Sequence, residues 1–261
     1  MPKPILTLTT DFGLSDHYVG AMKGVILGIC PQAQIVDISH EVSPFGVAEG
    51  AYVIEQAYRY YPNKTVHVVV VDPGVGSARR PILVEAAGQV FIAPDNGVLG
   101  MILARKQHKV RVLSNGRYFL KSVSQTFHGR DIFSPVAAHV AAGVKPAQMG
   151  KRVDDYVRPE FASPVRTGEH AWTGRILKID HFGNIITNFY AADHPGLESG
   201  RFSLGIGSHR TGRLARSYAE SAPGELFVIA GSGGYLEVSL NQGSAASMIG
   251  CNGGVAVDLV L

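Results

Sequence analysis

Cysteine, long apolar runs and blocks of like charge are scarce or missing in this chain, and each lack removes a class of function. The 261 residues include two cysteines, Cys30 and Cys251, far apart and outside any CxxC spacing, so neither a zinc knuckle nor a disulfide framework is expected. No apolar run reaches the about 18 residues that a membrane-crossing helix needs. The opening MPKPILTLTT lacks the basic, then apolar, then small-residue order of a secretory signal. A soluble, cytoplasmic protein is therefore expected. The formal charge of +3, from 24 basic and 21 acidic residues, is spread without a block of either sign. The densest basic run, RKQHKVR at 105–111, has no interleaved aromatics and reads as a solvated face, so neither nucleic acid nor membrane is an expected partner.

Several motifs are incomplete in ways that matter. GxxxxGK[ST] occurs nowhere, and His40-Glu41 has no second histidine at HExxH spacing, which removes a P-loop and a zincin. Gly74-Val-Gly76 follows an apolar run as a dinucleotide fingerprint would, but the third glycine is missing and Arg79-Arg80 stand where the helix should start. Asp11-Phe-Gly13 has the letters of a kinase motif, yet the glycine-rich loop, strand lysine and catalytic-loop Asp that must precede it cannot fit before residue 11. There is no internal repeat and no low-complexity tract.

What is present is a chain rich enough in apolar residues, at 46%, to build a substantial core. Residues 5–10 alternate like a strand, 16–30 carry apolar side chains at helical spacing up to Pro31, and 35–38 read as a second strand. A helix over 47–60 and a buried strand over 66–71 follow. This βαβαβ order predicts a mostly parallel sheet covered by helices, whose ligands collect at the carboxyl ends of the strands. A hairpin over 82–86 and 90–93 and a helix over 131–142 complete this part. The prolines around 156–164 suggest a linker, and beyond it short β-rich runs at 174–179, 184–189, 226–229, 235–240 and 255–261 are separated by glycine turns. The expected fold is an N-terminal α/β domain with a mostly parallel central sheet flanked by helices (1–155), a linker (156–172), and a smaller mainly-β C-terminal domain (173–261).

The strand-end turns carry Asp11, Asp16, Asp37, His40, Asp72, Arg79 and Arg80, and a later turn carries His128, Arg130 and Asp131. Each has a plain structural alternative. Asp16 and Asp131 are placed to cap helices, Asp37 and His40 to brace a turn, and His128 to be an ordinary loop histidine. An Asp, an Arg and a His in one cleft would suit water activation: histidine relays a proton, carboxylate orients it, guanidinium stabilises a developing anion. Asp11, Asp72 and His128 around a metal would instead suit a metal-dependent phosphoesterase or nucleoside hydrolase.

The motifs TDFG (10–13) with Asp16, IVDISH (35–40) with SPF (43–45), VDPGVG (71–76) with Arg79-Arg80, APDNG (93–97), FHGRDIF (127–133) and IDHFGNIITN (179–188) occur in one order along almost the whole chain. In that set the sequence resembles the S-adenosyl-L-methionine hydroxide adenosyltransferase family, relatives of the fluorinating and chlorinating enzymes. The resemblance implies hydrolysis of S-adenosyl-L-methionine to adenosine and methionine by water-derived hydroxide at ribose C5′, with neither cofactor nor metal. It puts the water-handling set on Asp72, Arg79 and His128. The halide-using branch carries Tyr and a small residue at the positions of Asp72 and His128, and a long insertion that this chain lacks. By the same resemblance Asp11 holds the ribose hydroxyls and Phe45 covers the sugar or adenine. Asp16, Asp180 and Ser232 hold the methionine end. Phe182, Asn184, Glu237 and the backbone near Asn241 form the adenine wall. A homotrimer, sometimes paired into a hexamer, with sites at subunit interfaces is also implied. A non-catalytic adenosine or S-adenosyl-L-methionine sensor is the remaining alternative.

Overall fold

The computed structural model describes residues 3–261, which gather into two compact units, one ending at Pro159 and the other running Glu160–Leu261. The first unit runs β1 (Ile5–Thr10), α1 (Tyr18–Ile29), β2 (Gln34–Ser39), α2 (Val47–Ala57), β3 (Val66–Val70), β4 (Pro81–Ala86), β5 (Gln89–Pro94), α3 (Gly100–Arg105), β6 (His108–Val112), α4 (Ser134–Ala141) and β7 (Arg152–Val153). Its sheet has the order β2-β1-β3-β5-β4-β6-β7. Strands β2, β1, β3 and β5 are parallel, and β4, β6 and β7 extend them antiparallel.

The unbroken valines of β3 are explained by its place in the middle of the sheet. Val66, Val68 and Val70 face one way, onto Met22 and Ile26 of α1, Phe133 just ahead of α4 and Val136 within it. Val69 and Val71 face the other way, onto Ile54, Tyr58 and Phe91. A strand buried on both faces has no reason to alternate. Because β1, β2 and β3 run in one direction, the residues that follow them, Asp11, His40 and Asp72, leave the sheet at the same edge.

Three local departures from the sequence expectation have physical causes. The basic run at 105–111 mostly becomes β6, an inner strand with Val110 buried and Lys109 exposed, so its alternation was hidden by long charged side chains. The last helix starts at Ser134, because Gly129–Phe133 forms a π-helical turn ahead of it. The helix from Val47 stops at Ala57 and tightens into a single 3-10 turn, Tyr58–Tyr60.

The second unit consists of β8 (Val165–Arg166), β9 (Ala171–Ile179), β10 (Ile185–Tyr190), β11 (Ser203–Ile206), β12 (His209–Thr211), β13 (Leu214–Ala215), β14 (Leu226–Ala230), β15 (Tyr235–Leu240), α5 (Ala245–Ile249) and β16 (Ala256–Val260). They form a sheet in the order β12-β11-β16-β9-β10-β15-β14-β13, with β8 on β9, around a core of Phe189, Leu236, Val238 and Leu259. The α/β unit and the mainly-β unit match the expected fold class. Cys30 and Cys251 are free thiols, and among the described residues no helix is long and apolar enough to cross a membrane.

One buried polar group in the sheet gives the first unit a pH-dependent stability. His67, in β3, is fully buried, hydrogen-bonded to Thr7 Oγ1 at 2.7 Å and Gln89 Oε1 at 3.2 Å, with its ring stacked on Phe91. Burial holds its pKa down at about 4. A histidine depressed in this way takes its proton in the unfolded chain first, so stability is complete above about pH 6.5 and falls as pH drops toward 4. The loss is on the order of 3 kcal/mol. Urea midpoints measured between pH 8 and pH 4 should show it, and His67→Gln, which has nothing to titrate there, should flatten the dependence.

Candidate active site

The turn after β3 supplies two of the expected residues. Arg79 folds back on Asp72 as a fork, with Nε donating to Oδ1 at 3.0 Å and Nη2 to Oδ2, and both side chains are more than nine-tenths buried. The second Nη2 hydrogen meets the third expected residue, donating to His128 Nδ1 at 2.7 Å. Phe133 lies against the same guanidinium, 5.4 Å from ring centroid to Cζ. A guanidinium has five N–H donors. Asp72 and His128 take those on Nε and Nη2, and the remaining two are on Nη1, which is buried and has no partner among the described residues. Leaving such a donor dry is costly, so this is where an incoming oxygen is best rewarded.

A guanidinium cannot accept, so His128 Nδ1 must, and the ring is the neutral tautomer with its proton on Nε2. Burial first, and then the Arg79 charge, hold the His128 pKa below its usual value, against the opposing pull of Asp72 and Asp131.

Asp131 is not a helix cap. It is fully buried, accepts the Ser124 N–H at 2.9 Å and pairs with Arg130, fixing the chain just before His128. Nor does Asp16 cap α1: it lies exposed, and the N-cap is His17, which makes no side-chain capping bond. Asp37 and His40 brace the turn after β2. His40 reaches Asp37 at 3.1 Å and Thr10 Oγ1 at 2.8 Å, and Lys23 donates to Asp37 at 2.6 Å. Arg80 turns away from its neighbour to Asp95 and Asp155, while Asn96 donates to the Val71 carbonyl at 2.8 Å. The PDNG turn thus supports the strand end that carries Asp72.

Asp11 accepts the N–H of Phe45 at 2.9 Å. Phe45 has φ +66°, a conformation disfavoured for a bulky residue, and the residue is 72% exposed. A strained loop thus displays an aromatic face beside a carboxylate. Burial raises the Asp11 pKa, partly offset by its backbone hydrogen bonds, and the nearby Asp72 charge adds to the rise.

In the second unit, Asp180 organises the turn between β9 and β10. Oδ1 accepts N–H groups of Phe182 and Asn184, each at 2.9 Å, and Oδ2 accepts Asn184 Nδ2 at 2.8 Å. Asn184 is buried, whereas Phe182 is 75% exposed. Ser232 is exposed in the β14–β15 turn. Glu237, on β15, accepts from the Tyr218 hydroxyl at 3.3 Å, and burial together with the Asp180 charge raises its pKa. Asn241 donates its side-chain Nδ2 to the Ser221 carbonyl at 2.6 Å, and its backbone carbonyl accepts the Gly224 N–H at 3.4 Å. Tyr218, in a 3-10 turn, carries no sequence signal, and Phe133 closes the FHGRDIF motif with no role of its own expected from sequence. Among the described residues no three His, Cys, Asp or Glu side chains gather as a metal would require.

Two family models match this chain, the SAM hydroxide adenosyltransferase N-terminal domain over residues 6–150 and the corresponding C-terminal domain over residues 174–258. A protein from Salinispora tropica named (R)-S-adenosyl-L-methionine hydrolase is 39% identical, over 97% of this chain and 96% of its own length. A fluorinase from Nocardia brasiliensis is 28% identical over 98% and 97%. A crystal structure of an uncharacterised conserved protein from Thermotoga maritima superposes with a TM-score of 0.86 at 36% identity, covering 98% of this chain and all of that one.

The glycines of the VDPGVGSARR turn are not equivalent. Gly76 has φ +77°, and a Cβ there would stand 2.5 Å from the Gln125 carbonyl oxygen, whereas a Cβ on Gly74 would meet the Ser77 hydroxyl at 3.3 Å and Arg79 Cγ at 3.4 Å. Gly76→Ala should therefore cost about 1–3 kcal/mol in denaturant titration, and Gly74→Ala distinctly less. Equal costs would contradict this close approach of the turn to the chain ahead of His128.

Proposed function

The chain belongs to the SAM hydroxide adenosyltransferase family, and on that premise we propose that it hydrolyses S-adenosyl-L-methionine to adenosine and methionine. Hydroxide derived from water forms the new C–O bond at ribose C5′, the C–S bond breaks, and one proton is released for each water consumed. The observation that carries this reading is the Asp72, Arg79 and His128 cluster, with two buried N–H groups on Arg79 Nη1 that have no partner among the described residues.

The difficult part of such a reaction is the nucleophile, since bulk water has a pKa of about 15.7. A fixed cation with unsatisfied donors lowers the cost of forming hydroxide beside it, and in a water-poor site it does so more strongly than in solution. The substitution itself joins an anion to a sulfonium and destroys charge, so a low effective dielectric favours it.

The remaining residues take substrate roles in the same proposal. Asp11 accepts from the ribose hydroxyls beside the displayed ring of Phe45, and Asp16, Asp180 and Ser232 hold the amino and carboxylate ends of methionine. Phe182 stacks on the adenine, with Asn184, Glu237 and the Asn241 backbone at its edges. The exposed rings of Phe45 and Phe182 support this, because large aromatic faces left open are characteristic of ligand or partner contact. The working form is a homotrimer, with or without pairing into a hexamer, and its sites lie at subunit interfaces. Full activity in a species that sediments as a monomer would contradict that.

Incubation with S-adenosyl-L-methionine in 18O-labelled water should place the label in the adenosine 5′-hydroxyl, at a rate unchanged by chelator. Absent or unlabelled adenosine would overturn the reaction, and loss of activity in chelator would overturn the metal-free chemistry. Arg79→Ala and His128→Ala should each lower turnover by about a hundredfold or more, measured as adenosine released under saturating substrate.

A further inference from the structure

We infer that His128 is a positioning residue for the proposed reaction: its Nδ1 lone pair holds the Arg79 guanidinium in register, and the proton lost by the attacking water passes to solvent water, as the proton the overall reaction releases, and not to the imidazole. The inference rests on the hydrolytic reading above and goes beyond it by separating the two roles a histidine at this place could play.

A general base needs a free lone pair facing the water. In neutral His128 the only ring lone pair is on Nδ1, and the Arg79 Nη2 hydrogen occupies it at 2.7 Å. Nε2 carries the ring proton and can only donate. For Nδ1 to take a proton from water it would first have to release Arg79 and then stand, as a cation, at hydrogen-bonding distance from a guanidinium. The charged groups around the ring are Arg79, Asp72 and Asp131. Asp72 is already engaged through both oxygens with Arg79, and Asp131 with Arg130 and the Ser124 N–H.

The local chain geometry fits a holding role. His128 directly precedes the π-helical turn Gly129–Phe133, and that turn ends on the ring that lies against the same guanidinium. One wide turn, pinned by buried Asp131, thus presents two contacts to Arg79, a hydrogen-bond acceptor for Nη2 and the ring of Phe133. Asp72 grips its Nε edge. What is left pointing free is Nη1.

Asparagine separates the two roles, because its Oδ1 accepts a hydrogen bond from Arg79 much as Nδ1 does but has no basic nitrogen. His128→Asn should turn over at least tenfold faster than His128→Ala. The wild type should show an acid limb in kcat, as Nδ1 gains a proton and repels Arg79, and that limb should disappear in the Asn variant. Equal loss of activity in the two variants, with wild-type melting behaviour and adenosine binding, would overturn the inference. Should the Asn variant fail to fold, 15N NMR of the wild type at pH 7 decides: protonated Nε2 with bare Nδ1 supports the holding role, and a protonated Nδ1 refutes it. The NMR measurement needs no turnover, so a wild type that fails to hydrolyse S-adenosyl-L-methionine would defeat the proposed reaction without being confused with failure of this inference.

Discussion

The guanidinium of Arg79 is the group around which this end of the first unit is arranged. A buried cation is expensive to desolvate, and it persists only where enough acceptors surround it. Asp72 provides two, His128 one, and Phe133 a ring face. Each of these depends in turn on chain geometry elsewhere: the Asp72 strand end on the Asn96 bond to Val71, the His128 segment on Asp131, and the VDPGVGSARR turn on a glycine that no other residue could replace without strain. Arg80 stabilises the same turn from the opposite side through Asp95 and Asp155. Two adjacent arginines therefore do unlike things because their neighbours differ.

The parts of this arrangement that sequence discloses are those governed by periodicity and by turn chemistry. Strand β1 and the alternation of strands with helices up to β3 follow from apolar spacing, and with them the convergence of Asp11, His40 and Asp72 at one sheet edge. What periodicity does not disclose is partnership. Nothing in the spacing says that Arg79 rather than Arg80 pairs with Asp72, since both lie within side-chain reach of the turn. The pairing is settled by Asp95 and Asp155, which come from a later strand end and from beyond β7. Likewise the π-helical turn at Gly129–Phe133 has no composition of its own, and β6 is masked by basic side chains whose stems cover apolar surface. The second unit is less legible in the sequence for a related reason. Its β11, β12 and β13 strands are four residues or shorter, too brief for a period to register.

Charge balance ties the site to the proposed chemistry. Asp72 and Arg79 cancel and His128 is neutral, so the cluster has no net charge while still presenting two strong donors from Nη1. A sulfonium approaching a net-positive cluster would be repelled, and at an effective dielectric near 20 two unit charges about 4 Å apart interact by about 4 kcal/mol. A net-negative cluster would attract the sulfonium but oppose hydroxide. Neutrality overall with directed donors avoids both penalties, and it requires the histidine to remain unprotonated. Burial and the Arg79 charge, which hold the His128 pKa down, are thus the same features that would keep a sulfonium compatible with the site in the proposed reaction. The guanidinium can then be aimed by a neutral acceptor on one side and a carboxylate on the other, with its remaining edge left for the attacking oxygen of the proposed reaction.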